Sequence, residues 1–472
     1  MDDTTPGPLW RLSAFDLVAG YRASRFTPLD AAKACLERVA RCEPELHAMV
    51  CVDAPGALHA ATESAARWQA GVALGDLDGV PLTLKDNLHA RGLPTRWGSL
   101  LTRPEAQPQD ELPVRRVREA GGVILGKTQL PEFALQGFTA SRLGGVTRNP
   151  RDLRLSPGGS SGGAAASVAA GYAPLAIATD GGGSIRRPAA YCGVLGYKPS
   201  EGLVPREGGL PDLFEGHEVV GCLARSLPDL RALLDVLAGA PLAKPAAQET
   251  RILLLTQMGT RPVDSRIVGG VRAFARHAMV RGHRVTEGTD ASWAEPVHAL
   301  WPRLSALGLA HLLENASQWP DLLGTGDATA GLAACEPHTR EVYAAGCGLE
   351  HSALRKLRDA IEGLRRRLDT LLAEFDFILT PATSARAWPL EEPFPAVIEG
   401  QAAGARSDAV FTPFVNALGL CAISVPCALV DGLPVSAQIV GARGDDARLL
   451  SVAAELFSSN SYPLAQLPGS TQ

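Results

Sequence analysis

Two glycine-framed serine stretches are where this chain could do chemistry. The first, SPGGSSGGAAAS, runs from Ser156 to Ser167 and sets Ser160 and Ser161 between Gly158-Gly159 and Gly162-Gly163. The second, TDGGGSIRRP, runs from Thr179 to Pro188 and places Ser184 directly after Gly181-Gly182-Gly183. Consecutive glycines leave backbone N–H groups uncovered, and such groups can converge on an oxyanion, the main electrostatic need of acyl transfer. Ser184 is therefore placed like a nucleophile, with Gly181, Gly182 and Gly183 as its candidate oxyanion hole. Asp180 and Arg186 flank it and are able to pair, which would fix the loop. A flexible linker or a tight turn with an exposed serine would use the same residues, so the rest of the chain must decide.

A serine nucleophile needs a base. No histidine has a motif that recommends it, but one lysine does. The chain has six lysines against thirty-nine arginines, and Lys85 closes an apolar stretch, VPLTLKDN. A desolvated lysine can lose its proton, whereas arginine effectively cannot. Lys85 at a buried strand end is thus a candidate general base. The alternative is a structural lysine paired with Asp86.

Two formal motif matches fail on context. GGVILGKT, Gly121 to Thr128, fits a phosphate loop, but the strand residues Val123-Ile124-Leu125 lie inside the supposed loop and Pro131 follows. GGSSG, Gly158 to Gly162, fits a nucleophile elbow, but an elbow follows a buried strand, and RDLRLSP is charged and ends in proline.

The elements that must position these residues read as alternating strands and helices. Strands are expected at VPLTLK (80–85), GGVILGK (121–127), APLAIATD (173–180), RILLL (251–255), FILTP (377–381), AISVPCALV (422–430) and SAQIVG (436–441). Helices are expected over 13–50, around Arg115–Glu119, at the Ala-rich 162–171, and at 445–457. Leu354, Leu357, Ile361, Leu364, Leu368, Leu371 and Phe375 alternate in steps of three and four, an amphipathic helix with a solvated arginine face. The pattern indicates one layered α/β domain over 1–472, with only 237–250 resembling a linker. The 472 residues are 46% apolar and 20% charged with net charge −5, ordinary globular composition without a nucleic-acid or anionic-membrane footprint. The N-terminus lacks a secretory pattern, and the run from Gly162 to Ala178 is too broken and too Ala/Gly-rich for a membrane span. Nine cysteines with no CxxC pair indicate reduced structural thiols and a cytoplasmic setting. Scattered histidines give no metal site, and no cofactor is expected.

VPLTLKDN, GKTQLPEFA, PGGSSGGAAASVAAG and ATDGGGSIRRPAAYCGVLGYKPSEGLVP together resemble the amidase signature enzymes. The resemblance is densest over 79–225 and extends weakly to both ends, through FDFILTPATSA, FTPFVNALGLCAISVPC and GLPVSAQIVG. It implies a single amidase signature domain: a mixed central β-sheet covered by helices on both faces, with a variable substrate-side segment near 250–375. It implies a Ser–cisSer–Lys triad in which Ser184 is the nucleophile, Ser160 the bridging serine with a cis peptide, and Lys85 the base. Ser161, Asp180 and Arg186 match supporting positions. The implied reaction is hydrolysis of a small carboxamide through an acyl-enzyme, and a homodimer is a family-level expectation. The chain departs from the family pattern at Ser141 and Gly144 and at Gly221-Cys222, away from the triad.

Three functions compete. One is a stand-alone amidase on a small carboxamide, with urea-like or carboxylated amides as specialised variants. Another is the glutaminase-type component of a tRNA-dependent amidotransferase, but PDLFEGHEVVGC lacks the SLDQxGP-like stretch such components carry. The third is a catalytically dead binding protein, against which intact Lys85, Ser160 and Ser184 argue. Pocket residues are expected within 130–145, 205–220 and 300–345 and are not assignable individually.

Overall fold

The computed structural model describes residues 7–246, 248–289, 291–323, 330–349 and 351–457. One eleven-stranded sheet organises them. Its strands in chain order are β1 (Met49–Val52), β2 (Pro81–Lys85), β3 (Val123–Thr128), β4 (Leu175–Asp180), β5 (Leu195–Lys198), β6 (Val219–Ala224), β7 (Arg251–Leu254), β8 (Arg284–Glu287), β9 (Phe377–Pro381), β10 (Cys421–Val430) and β11 (Leu433–Gly441). Across the sheet they run β1-β3-β2-β4-β6-β5-β10-β11-β9-β7-β8. β2 is parallel to both β3 and β4, and β7 is parallel to β8 and β9, while the remaining neighbours are antiparallel. The sheet is mixed, as the resemblance implied. The stretch 237–250 falls between the helix Leu227–Ala238, which follows β6, and β7, and both strands belong to that same sheet.

Alternation along the strands divides two cores. Ile252, Leu254, Phe377, Leu379, Ile423 and Ile439 pack into one cluster. Leu253, Ile378, Ala422 and Val440, which point the other way, pack into another with the helices Glu295–Glu314 and His351–Glu374. β4 shows the same division: Leu175 and Ile177 face the first cluster, while Ala176 and Ala178 meet Ala164, Ala165 and Val168 of the helix Gly162–Ala169. Alanine on both partners lets this helix lie close against the strand. Glycine is required where the approach is closest. A Cβ at Gly163 would sit 2.5 Å from the Gln129 carbonyl oxygen and 2.6 Å from that of Ala48.

The elements with no separate counterpart in the sequence reading include β1, β5, β6, β8 and the helices Ala54–Gln69, Leu227–Ala238, Ser265–Val280, Glu295–Glu314 and Pro337–Cys347. The four strands have four to six residues each, too short for alternation to mark them off. The phosphate-loop match is resolved by β3, which carries Gly126, Lys127 and Thr128 inside the strand. All nine cysteines are free thiols. Among the described residues no helix is long and apolar enough to cross a membrane, and no cluster of three or more His, Cys, Asp or Glu side chains could hold a metal.

Gly163→Ala tests the tight seat of the helix. Overpacking against fixed backbone carbonyls should cost about 1–3 kcal/mol, read as a lowered thermal unfolding midpoint. An unchanged midpoint would show that the helix can shift outward freely.

Candidate active site

The site forms where two parallel strands end side by side, a place where α/β sheets commonly bind ligands. Leu82 pairs with Leu175 and Leu84 with Ile177, so the register carries Lys85 next to the end of β4. Lys85 is fully buried. Its Nζ lies 2.8 Å from Ser160 Oγ, 3.0 Å from Thr179 Oγ1 and 3.4 Å from the Thr179 carbonyl oxygen. No carboxylate touches it among the described residues. Asp86, its neighbour in sequence, instead pairs with Lys127 at 3.1 Å. This corrects the alternative reading of Lys85 as the partner of Asp86. Burial pushes the Lys85 ammonium down to about 8. Glu218 and Asp180 oppose the shift, and Arg206 adds to it. Glu218 itself is engaged by Arg206 at 3.3 Å and by Asn87 at 3.2 Å.

The loop before Gly162–Ala169 brings in the two serines. Gly158 has φ +77°, a conformation that suits glycine. The Gly159-Ser160 peptide bond is cis. Ser161 links the two glycine loops: its N–H donates to the Ser184 carbonyl oxygen at 3.1 Å and its hydroxyl to the Thr179 carbonyl oxygen at 3.1 Å. Every residue from Ser156 to Ser200 is buried except Ser184, which is half-buried.

Asp180 holds the second loop in shape. Its carboxylate accepts from the N–H groups of Gly182 (3.2 Å), Gly183 (2.6 Å) and Ile185 (3.0 Å). Arg186 completes it with Nη2 to Oδ1 at 2.9 Å and Nε to Oδ2 at 3.0 Å, both side chains fully buried. This is the pairing expected from the sequence. Burial alone would push the Asp180 carboxyl up. The Arg186 guanidinium and the Gly183 N–H outweigh it and hold the group well below the usual carboxylate range. The glycine amides are less free than the sequence indicated, since Gly182 and Gly183 already donate to Asp180. Their N–H vectors are set by this carboxylate.

Residues that sequence reasoning missed fix the same loop from far along the chain. Trp301 Nε1 donates to the Gly181 carbonyl oxygen at 3.1 Å, and Thr412 Oγ1 to that of Gly182 at 2.9 Å. Asn416 Nδ2 donates to the Asp180 carbonyl oxygen at 2.8 Å, and Gln438 Oε1 accepts from Arg186 Nη1 at 2.7 Å. Asn87 Nδ2 donates to Thr179 Oγ1 at 2.9 Å, beside Lys85. Of the expected pocket segments, 205–220 contributes Phe214, 3.1 Å from a Cβ placed on Gly181, and 300–345 contributes Trp301.

Arg186→Met should leave the Asp180 carboxylate buried without its cation and cost about 3–5 kcal/mol of stability. Chemical denaturation would read this as a lower midpoint. A midpoint equal to the parent protein's would show that the glycine loop does not depend on the pair.

The sequence pattern of the Amidase family matches residues 30–450. The chain is 32% identical to a glutamyl-tRNA(Gln) amidotransferase subunit of Symbiobacterium thermophilum, covering 94% of this chain and 95% of that protein. It is 31% identical to an acylamidase of Rhodococcus erythropolis, covering 94% of each. Among solved structures it is similar to the peptide amidase of Stenotrophomonas maltophilia, with TM-score 0.77, 30% identity and coverage of 96% and 97%. The pattern spans the lysine strand, both glycine loops and the C-terminal strands that brace them. The chain therefore belongs to the Amidase family, the amidase signature enzymes, and is a hydrolase acting on amide C–N bonds.

Proposed function

We propose that the chain is a stand-alone amidase that hydrolyses a small carboxamide through an acyl-enzyme on Ser184. The observation that carries this is the 2.8 Å approach of a fully buried lysine, free of any carboxylate contact among the described residues, to Ser160 Oγ. The exposure of Ser184 alone within a buried stretch supports its role as the group that meets substrate. Neutral Lys85 takes the Ser160 proton, and Ser160 takes that of Ser184 as its Oγ attacks the amide carbonyl. The tetrahedral oxyanion meets the amides of Gly181, Gly182 and Gly183. Gly182 and Gly183 donate to Asp180 in the resting site, so those two amides fork between the carboxylate and the oxyanion. The C–N bond then breaks, and the leaving amine takes a proton by way of Ser160. Water attacks the ester, and the carboxylate product leaves Ser184 regenerated. Ser161, Asp180 and Arg186 support the loops.

A second reading, the glutaminase-type component of a tRNA-dependent amidotransferase, is favoured by the name of the Symbiobacterium relative. The stretch from Pro211 to Cys222 speaks against it by lacking the SLDQxGP-like sequence. Ammonia release from simple amides by the isolated chain distinguishes the two, because the amidotransferase reading expects activity only within an assembly.

Ser184→Ala should abolish ammonia release, and Lys85→Ala should lower kcat about 10²–10⁴-fold, the usual worth of a general base. Unimpaired turnover in either variant would refute these roles. The pH profile follows from the direction of the Lys85 shift. The base acts in its neutral form, which grows as pH rises through about 8, so kcat/KM should climb to that pH and then level. A rate falling between about pH 7 and 8 would contradict it.

A further inference from the structure

Arg406 takes no part in the steps above, yet its guanidinium lies against the glycine loop. A Cβ placed on Gly182 would be 3.2 Å from Arg406 Nη2 and 2.8 Å from Trp301 Nε1. Arg406 sits at φ +67°, where L side chains are rarely found and where ligand-binding residues concentrate. Among the described residues its side chain has no hydrogen bond or ion pair, and Nη2 is shielded from solvent without a partner.

The neighbouring arginines differ. Arg186 meets Asp180, Arg187 meets Asp408 at 2.7 Å, and Arg206 meets Glu111 at 3.1 Å. Asp408, two residues from Arg406 in sequence, is already occupied by Arg187 and by the Tyr191 hydroxyl at 3.1 Å. Burial and then Arg187 push the Arg406 guanidinium down to about 10, opposed only by Asp408, so it stays charged near neutrality. His298 stands one turn before Trp301 on the helix Glu295–Glu314. Burial, Arg261 and Arg406 push its imidazole down to about 3, and its Nε2 is also buried without a partner among the described residues. This corner of the site is cationic, partly desolvated and lacks an available acid among the described residues.

A cation withdrawn from water without a counter-charge is costly, and the guanidinium fork fits a carboxylate through two parallel hydrogen bonds. We propose that the substrate of the Ser184 site carries a carboxylate, which Arg406 holds on the Gly182 side of the glycine loop. The substrate class is thus a carboxylated amide. This rests on Ser184 being the nucleophile, and it goes further by naming what the acyl or amine part of the substrate bears.

The test separates binding from turnover. In the Ser184→Ala background, calorimetry compares the monoamide of glutarate with valeramide, its neutral counterpart of equal length. A charge-assisted pair should make the acid bind about tenfold or more tighter. Adding Arg406→Gln should remove that preference, and Arg406→Lys should retain part of it, which also controls for folding. Equal binding of acid and neutral amide, or a preference that survives Arg406→Gln, overturns the proposal. Steady-state ammonia release from the same pair then isolates the role. The carboxylate role predicts a KM rise confined to the acid in Arg406→Gln. An equal fall in kcat on both amides, with KM unchanged, would assign Arg406 to the oxyanion instead and overturn it. Arg406-dependent binding in a protein that turns over no amide would sustain the carboxylate site while refuting the Ser184 reading.

Discussion

The site depends on taking one lysine out of water without giving it a carboxylate to touch. Lys85 is fully buried, and its contacts are two hydroxyls and a carbonyl oxygen. None of these neighbours carries a charge to offset the desolvation of an ammonium. Lys127, equally buried, has the other environment: the Asp86 carboxylate lies 3.1 Å from its Nζ. Two lysines on neighbouring parallel strands thus receive opposite treatment. The difference is set by where the nearest acids are engaged. Asp86 is given to Lys127, Asp180 to Arg186, and Glu218 to Arg206 and Asn87.

The second constraint is the closed network beneath the glycine loop. Asp180 collects backbone N–H groups and the Arg186 guanidinium, and Arg186 is in turn held by Gln438 and Asn416 of the C-terminal region. A buried pair of this kind contributes little net stability by itself, but it fixes geometry because breaking either partner is costly. The loop that carries Ser184 is thereby tied to strand β11 and to the Trp301 helix, elements far away in sequence. The glycines are needed because Trp301, Thr412 and Phe214 stand where side chains would otherwise be.

The chemistry was more legible in the sequence than its supports. Lys85 stood out because lysine is scarce here and it ends an apolar strand; Ser160 and Ser184 stood out through their glycine frames. FILTP coincides with β9, and the three-four spacing of leucines marks the long arginine-faced helix His351–Glu374. Asn416 and Thr412 carry no such mark. They lie 236 and 230 residues from the groups they bind, and a single Asn or Thr before a strand has many uses. Asp86 reads as an option for Lys85 in the sequence because adjacency says nothing about a bulge. Between Leu82 and Leu84 the β2–β3 register shifts, bringing Leu84 opposite Lys127 and Lys85 opposite Thr128. The occupied amides of Gly182 and Gly183 were equally hidden, since a row of glycines does not tell which acceptor will take its N–H groups.

The most direct test of the account is a titration of the Lys85 amine by NMR in protein carrying isotope-labelled lysine. Lys85→Ala and Lys198→Arg would assign the two buried signals expected to be displaced. The Lys85 amine should lose its proton near pH 8, well below the ordinary lysine value of 10.5. A signal that titrates near the ordinary lysine value of 10.5 would contradict it, because Lys85 would then be a charged structural residue and Ser184 would lack its base.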